Sequence, residues 1–155
     1  MENEAVKKTL SSLQRQCSRR EYCSSDIYRK ALKALDGDEE AATLVLESLK
    51  ADKFVDDLRY ASAYIREKTS ISGWGMTKIS YMLASKGVDR TIIMEAAKDA
   101  DPAASARKLE TVLRTKYKAL SEDPAARLKL LRFALGRGYS YDEVRDAVEK
   151  VMSGE

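Results

Sequence analysis

The chain contains no histidine and only two cysteines, Cys17 and Cys23. A zinc site therefore has too few ligands, and an imidazole general acid or base is impossible. A redox pair is one reading of the two thiols; the expected one is two small apolar helix residues in a reducing compartment. Two prolines and seven glycines spread over 155 residues leave no low-complexity tract and no long linker. No apolar run approaches the roughly 18 residues of a membrane span, and the opening Met1-Glu2-Asn3-Glu4 is acidic. Neither export nor insertion is expected, which places the chain in the cytoplasm. Sustained period-two alternation is also missing, and with it any sign of strands.

Enzymatic chemistry has little material to work with. No serine stands in a nucleophile-elbow sequence, and neither cysteine has a histidine to activate it. The glycines of "SGWGMTKISYMLASKGV", residues 72 to 88, do not make a phosphate loop. That motif needs Gly-x-x-x-x-Gly-Lys-Ser/Thr after a strand, whereas only Met76 and Thr77 separate Gly75 from Lys78, and the residues before are helical in character. Asp56-Asp57 is the one carboxylate pair that could hold a hard cation or share a proton. It precedes a helix, where carboxylates satisfy free N–H groups, and capping is its expected role. The chain is therefore expected to be no enzyme and to need no cofactor or metal.

What is present is helix. With 44% hydrophobic residues, the chain can bury a sizeable core as one domain or as small stacked modules. Asp101-Pro102 and Asp123-Pro124 each place a carboxylate cap before a proline whose missing N–H costs nothing in a first turn. Ser140 with Glu143, and Ser18 with Glu21, have capping-box spacing. Leu58, Ala61 and Ile65, and again Leu109, Leu113, Tyr117 and Leu120, recur at helical intervals. Gly87 and Gly138 stand where a helix end wants a residue without a Cβ.

Those two glycines are 51 residues apart, and a further step back lands on Asp36. In that register Tyr28, Ile79 and Leu130 align, as do Ala31, Met82 and Phe133, and Leu32, Leu83 and Ala134. On the far side Val45-Leu46, Ala96-Ala97 and Ala147-Val148 align. Units that cannot bury their own apolar face stack on a neighbour. The expected fold is all-α: three tandem three-helix repeats, 1–54, 55–101 and 102–155, in an elongated, curved array. The helices are expected at about 8–20, 24–35 and 38–51, then 56–70, 75–86 and 89–100, then 103–119, 124–137 and 140–152. Gly73 and Gly75 would turn the first helix of the middle unit into its second. Trp74 between them is either a plug folded over the junction, which is the expectation, or an exposed contact.

Charge follows the repeat. Segments 1–35, 57–87 and 103–140 carry +4, +3 and +6, whereas 36–56, 88–102 and 141–155 carry −5, −2 and −3. First and second helices are basic and third helices acidic, so stacked units would assemble one positive and one negative flank. At 100° per residue Arg107, Arg114 and Lys118 fall within roughly 40° of one another, beside the apolar stripe. From charge alone, a binding role and mere solubility are equally open. If the basic flank binds, its candidates are Arg19, Arg20, Arg29, Lys30, Lys33, Arg66, Lys68, Lys78, Arg107, Arg114, Lys118, Lys129 and Arg132, and nucleic acid or an acidic protein groove would be its partner. The aromatic signature of an RRM is absent. Tyr28, Tyr60, Tyr64 and Tyr117 fall on or near apolar faces and are expected in the core rather than stacked on bases.

The run Ser18-Arg19-Arg20-Glu21-Tyr22-Cys23-Ser24-Ser25-Asp26-Ile27 resembles the N-terminal signature of the RecX regulatory proteins. Phe54-Val55-Asp56-Asp57-Leu58-Arg59-Tyr60-Ala61 resembles their central motif, and Gly73, Gly75, Ile79, Leu83, Lys86-Gly87 and Ile92-Ile93 match the segment after it. The likeness runs from residue 13 to residue 150 or so. Cys23 replaces a frequent serine, which would move the cap of the second helix to Ser24; Leu58 replaces an acid, Tyr60 a phenylalanine and Asp36 a glycine. The resemblance implies three tandem three-helix units in a crescent. It implies binding to the RecA recombinase in the groove of its filament on DNA, with lowered ATPase, strand-exchange and coprotease activity, and hence modulation of DNA repair and the SOS response. A monomer is expected, with single- or double-stranded DNA as a further partner. The alternative from the charge pattern is a helical module that binds nucleic acid directly.

Overall fold

The computed structural model describes residues 3–154; Met1, Glu2 and Glu155, and with them the start of the acidic opening, lie outside the described residues. Among the described residues there are nine α-helices, one π-helical stretch and no strand. They are α1 Glu4–Arg19, α2 Ser24–Ala34, α3 Glu39–Ala51, α4 Asp57–Glu67, the π-helical Lys68–Ser72, α5 Met76–Ser85, α6 Arg90–Ala97, α7 Pro102–Lys118, α8 Ala126–Gly136 and α9 Tyr141–Ser153. Only the start of α1 lies more than three residues from its expected place. It begins four residues early because the Asn3 side chain accepts from the Val6 N–H at 2.9 Å and caps the first turn.

The 51-residue interval survives as backbone geometry. Asp36, Gly87 and Gly138 have φ of 53°, 82° and 94°. Their N–H groups donate to Lys33, Ala84 and Leu135, at 3.4, 3.0 and 3.0 Å. One residue later, Gly37 donates to the Leu32 carbonyl at 2.8 Å and Val88 to Leu83 at 3.1 Å, the six-to-one bond that closes a helix. Aspartate can stand for glycine at position 36 because its short polar side chain tolerates the left-handed region.

Caps divide into those the spacing identifies and those it does not. Ser140 and Glu143 form a reciprocal capping box, and Asp101 accepts from Ala103 with Pro102 in the first turn. Asp123 accepts from the Ala125 N–H at 2.8 Å, but regular helix starts only at Ala126, so Pro124 lies in the preceding turn. Ser18 and Glu21 make no capping box. Helix α1 continues through Ser18, whose hydroxyl donates back to the Arg15 carbonyl at 2.7 Å, and Glu21 pairs with Arg59. Leu58, expected on the apolar stripe, is exposed, while Ala61 and Ile65 are buried.

The chain divides into two compact units. The first holds the described part of Met1–Ala63 together with Leu83–Lys98, and the second holds Tyr64–Met82 with the described part of Asp99–Glu155. In the first, Leu13, Ile27, Ala31, Val45 and Leu49 join α1, α2 and α3 in one core with Val55. In the second, Leu109, Leu113, Leu130, Ala134, Val144 and Val148 do the same for α7, α8 and α9, with Tyr139 beside them. Each fully buried Leu, Ile or Val contributes about 1.5–3 kcal/mol, which is why the helices hold their register without long hydrophobic runs.

In both units a helix start meets a helix end. In the second, the N–H groups of Gly75 and Thr77, at the start of α5, donate to the carbonyls of Arg137 and Gly138 past the end of α8, at 2.9 and 3.1 Å. Donors left over at a helix start thus satisfy acceptors left over at a helix end. In the first unit, Cys23, just before α2, places its thiol 3.8 Å from the Lys86 carbonyl after α5, and Ser25 lies where a Cβ on Gly87 would point. Lys86 and Gly87 are the residues 51 positions before Arg137 and Gly138.

Candidate binding surfaces

In the first unit the cations gather at the ends of α1 and along α2. Arg20 leaves the helix in extended backbone, which lays its guanidinium 4.4 Å from the centroid of the Tyr22 ring. The Lys30 ammonium lies 5.1 Å from the same centroid and donates to the Gln16 side chain at 3.0 Å. Contacts of this kind hold a cation in place without neutralising it. Lys33 shares a groove between α1 and α2 with Lys30 and with Lys8. Arg29 is paired with Asp26, and Arg19 is exposed in the last turn of α1.

In the second unit Lys68 and Lys78 converge on Trp74, with ammonium groups 4.8 and 4.4 Å from its ring centroid. Lys68 also lies 5.4 Å from the Tyr64 ring. Trp74 is half-buried, so it is not the core plug expected from its flanking glycines. Of the four tyrosines expected in the core, Tyr60 is buried, and Tyr28, Tyr64 and Tyr117 are half-buried. Arg66, Arg107, Arg114, Lys118 and Arg132 are exposed on α4, α7 and α8. Lys129 is bound to Asp123 at 2.5 Å, and this hydrogen bond, with that from the Ala125 N–H, holds the Asp123 carboxyl below its usual range.

Two arginines that charge patterning did not single out are structural pins. Arg59 bridges Glu21 at 2.6 Å and the carbonyls of Lys53 and Phe54 at 3.0 and 3.3 Å. Arg137 donates to the Ser72 carbonyl at 2.6 Å and stands over the Phe133 ring. Both join residues far apart in sequence, which leaves no local signal to read. Lys8 was also missed; it stands at the expected start of the first helix, and only the packing of α1 on α2 brings it to the groove with Lys33.

The Asp56-Asp57 pair serves as two caps. Asp56 accepts from the Arg59 N–H at 3.0 Å at the start of its own helix, and Asp57 accepts from the Ser24 N–H at 2.7 Å at the start of α2. Cys23 is the N-cap residue of α2 but makes no side-chain bond there, so a distant aspartate supplies what a serine would have. Burial pushes both the Cys17 and the Cys23 thiol above their ordinary range, which favours the protonated form. Among the described residues no three His, Cys, Asp or Glu side chains group to hold a metal, and no helix is long and apolar enough to cross a membrane.

The family model for the second three-helix domain of RecX matches residues 56–96, and that for the third three-helix domain matches residues 106–148. The chain is 33% identical over 122 residues to the regulatory protein RecX of Clostridium botulinum (strain Alaska E43 / Type E3), covering 76% of this chain and 57% of the relative. Against that of Clostridium acetobutylicum it is 31% identical over 131 residues, covering 81% and 60%. It thus spans less than two thirds of the length of these relatives. The crystal structure of RecX from Lactobacillus salivarius superposes with a TM-score of 0.85 at 21% identity, over 96% of this chain and 97% of that one. A second crystal structure of a regulatory protein RecX gives 0.81 at 23%, over 98% and 73%. At such identities the superpositions establish the helical repeat fold alone, while the two domain models together take in more than half of the sequence: the chain belongs to the RecX family of regulatory proteins.

Proposed function

We propose that this chain is a cytoplasmic, non-enzymatic regulator that binds the RecA recombinase filament on DNA. There it lowers ATP hydrolysis, strand exchange and coprotease activity, and so tempers DNA repair and the SOS response. The observation that carries the reading is the separation of exposed charge by helix. Arg107, Arg114 and Lys118 lie along α7, whereas Glu39, Glu40 and Glu47 lie on α3 and Asp142, Glu143, Asp146 and Glu149 on α9. The three-module division 1–54, 55–101 and 102–155 belongs to the same proposal. Each module offers a weak cationic contact, and contacts tethered on one chain multiply in effect when they reach neighbouring protomers of a filament. The thirteen lysines and arginines named from the sequence are the proposed contact set.

The test is ATP hydrolysis by preformed recombinase filaments with single-stranded DNA in excess. Inhibition at substoichiometric protein is expected, and the triple variant Arg107→Glu, Arg114→Glu, Lys118→Glu should lose it while keeping its helical circular dichroism. Inhibition that disappears as DNA is added in excess would mean competition for DNA and would refute a filament target.

A further inference from the structure

The furrow between α1 and α2 is chemically distinct from the rest of the first unit. Leu13 and Ala34 make an apolar floor, Ser12 and Gln16 a hydrogen-bonding wall, and Lys8, Lys30 and Lys33 bring three ammonium groups to it. No carboxylate is among the described residues that line it. The wall is ordered: Gln16 donates to the Ser12 hydroxyl at 3.2 Å and accepts from Lys30 at 3.0 Å. Tyr22, under Arg20 and Lys30, lies by the Lys30 side of the furrow.

We infer that this furrow binds the phosphodiester backbone of single-stranded DNA. From Lys8 to Gln16 the helix advances about 12 Å at 1.5 Å per residue, which suits several nucleotides rather than a lone phosphate. The apolar lining and the nearby ring favour a single strand, whose unpaired bases can lie against them, over a duplex, whose bases are stacked inside. Ammonium groups on a strand's phosphates, beside an apolar floor and an aromatic ring, are the combination that holds single strands without regard to sequence. The family models match only from residue 56 onward, so they do not assign this site. The inference goes beyond the recombinase reading and needs no recombinase contact.

The test is fluorescence anisotropy of a short labelled oligothymidine across a salt series, with the full chain and no recombinase present. Replacing two phosphate-binding lysines, Lys8→Ala with Lys33→Ala, should flatten the slope of log K against log salt by about 1.4, at about 0.7 per lost single-strand contact. Affinity at low salt should fall by about tenfold or more. The double variant Lys8→Arg, Lys33→Arg should bind as the parent does. A charge-matched pair on α3 and after α6, Lys50→Ala with Lys98→Ala, should leave the slope unchanged. Equal slope changes in the furrow and control variants, or none in either, would overturn the inference; so would a labelled duplex that loses affinity to the furrow variant as the single strand does. Because the assay contains no recombinase, failure here leaves the ATPase test of the preceding section untouched, and the reverse also holds.

Discussion

Gly75 and Gly138 meet backbone to backbone: a Cβ placed on Gly75 would lie 2.4 Å from the Gly138 carbonyl oxygen, and one on Gly138 would lie 2.2 Å from the Lys78 Cβ. The two glycines are what allow the start of α5 to approach the end of α8 closely enough for the Gly75 and Thr77 N–H groups to find acceptors. A junction built from backbone can yield only by moving whole helices.

Gly75→Ala should therefore cost about 1–3 kcal/mol, the usual range for overpacking a filled site. Gly138→Ala should cost more, since its φ of 94° adds a left-handed penalty of about 1–2 kcal/mol to the clash. Gly136 is the control: it ends α8 with nothing within 4 Å of a built Cβ. Gly136→Ala should be neutral or stabilise by up to about 1 kcal/mol through helix propensity. Urea unfolding of the three variants checks the order; a Gly75→Ala variant as stable as the parent would show that the junction is looser than its geometry.

Much of the fold was legible because its punctuation is local. A helix end that needs positive φ selects glycine or a short polar residue, so Asp36, Gly87 and Gly138 announced the repeat by spacing. Asp101 and Ser140 announced caps in the same way. What stayed hidden depends on partners distant in sequence. Gly75 looked like turn chemistry, but its demand comes from Gly138. Ser18 and Glu21 had the right interval on a helix that does not end where a capping box would need it to. On the surface, composition identified which helices are cationic, but not that Lys68 and Lys78 share one indole or that Lys8 faces Lys33 across a furrow.

The two neighbouring aspartates should separate by amide hydrogen exchange. Asp57→Ala removes the acceptor of the Ser24 N–H, and so should speed exchange at the start of α2 while sparing Arg59; Asp56→Ala should do the opposite. Each loss should cost about 1 kcal/mol, typical of a helix cap. Asp57→Asn keeps an acceptor oxygen and should recover most of it. Added magnesium or calcium should leave the melting temperature of the parent unchanged. A cation-dependent rise that Asp57→Asn abolishes would make the pair a metal site instead of two caps.

Tyr139 ties the residue after Gly138 to the loop before α5, its buried hydroxyl donating to the Gly73 carbonyl at 3.0 Å. Tyr139→Phe keeps the ring and deletes the bond, and should cost about 0.5–1.5 kcal/mol at neutral pH. Burial, with Glu143 adding to it and Arg137 opposing, raises the phenol above its ordinary value of 10.0. The folded chain thus holds a proton that the unfolded chain releases near that value. The associated stability is whole below about pH 10 and drains away as pH rises toward the folded titration point. Denaturant titrations across the alkaline range should show the parent losing stability more steeply than Tyr139→Phe, so that the gap between them narrows. A gap that stays constant through the tyrosine range would mean that the phenol titrates alike in both states and that its hydrogen bond to Gly73 does not hold the proton.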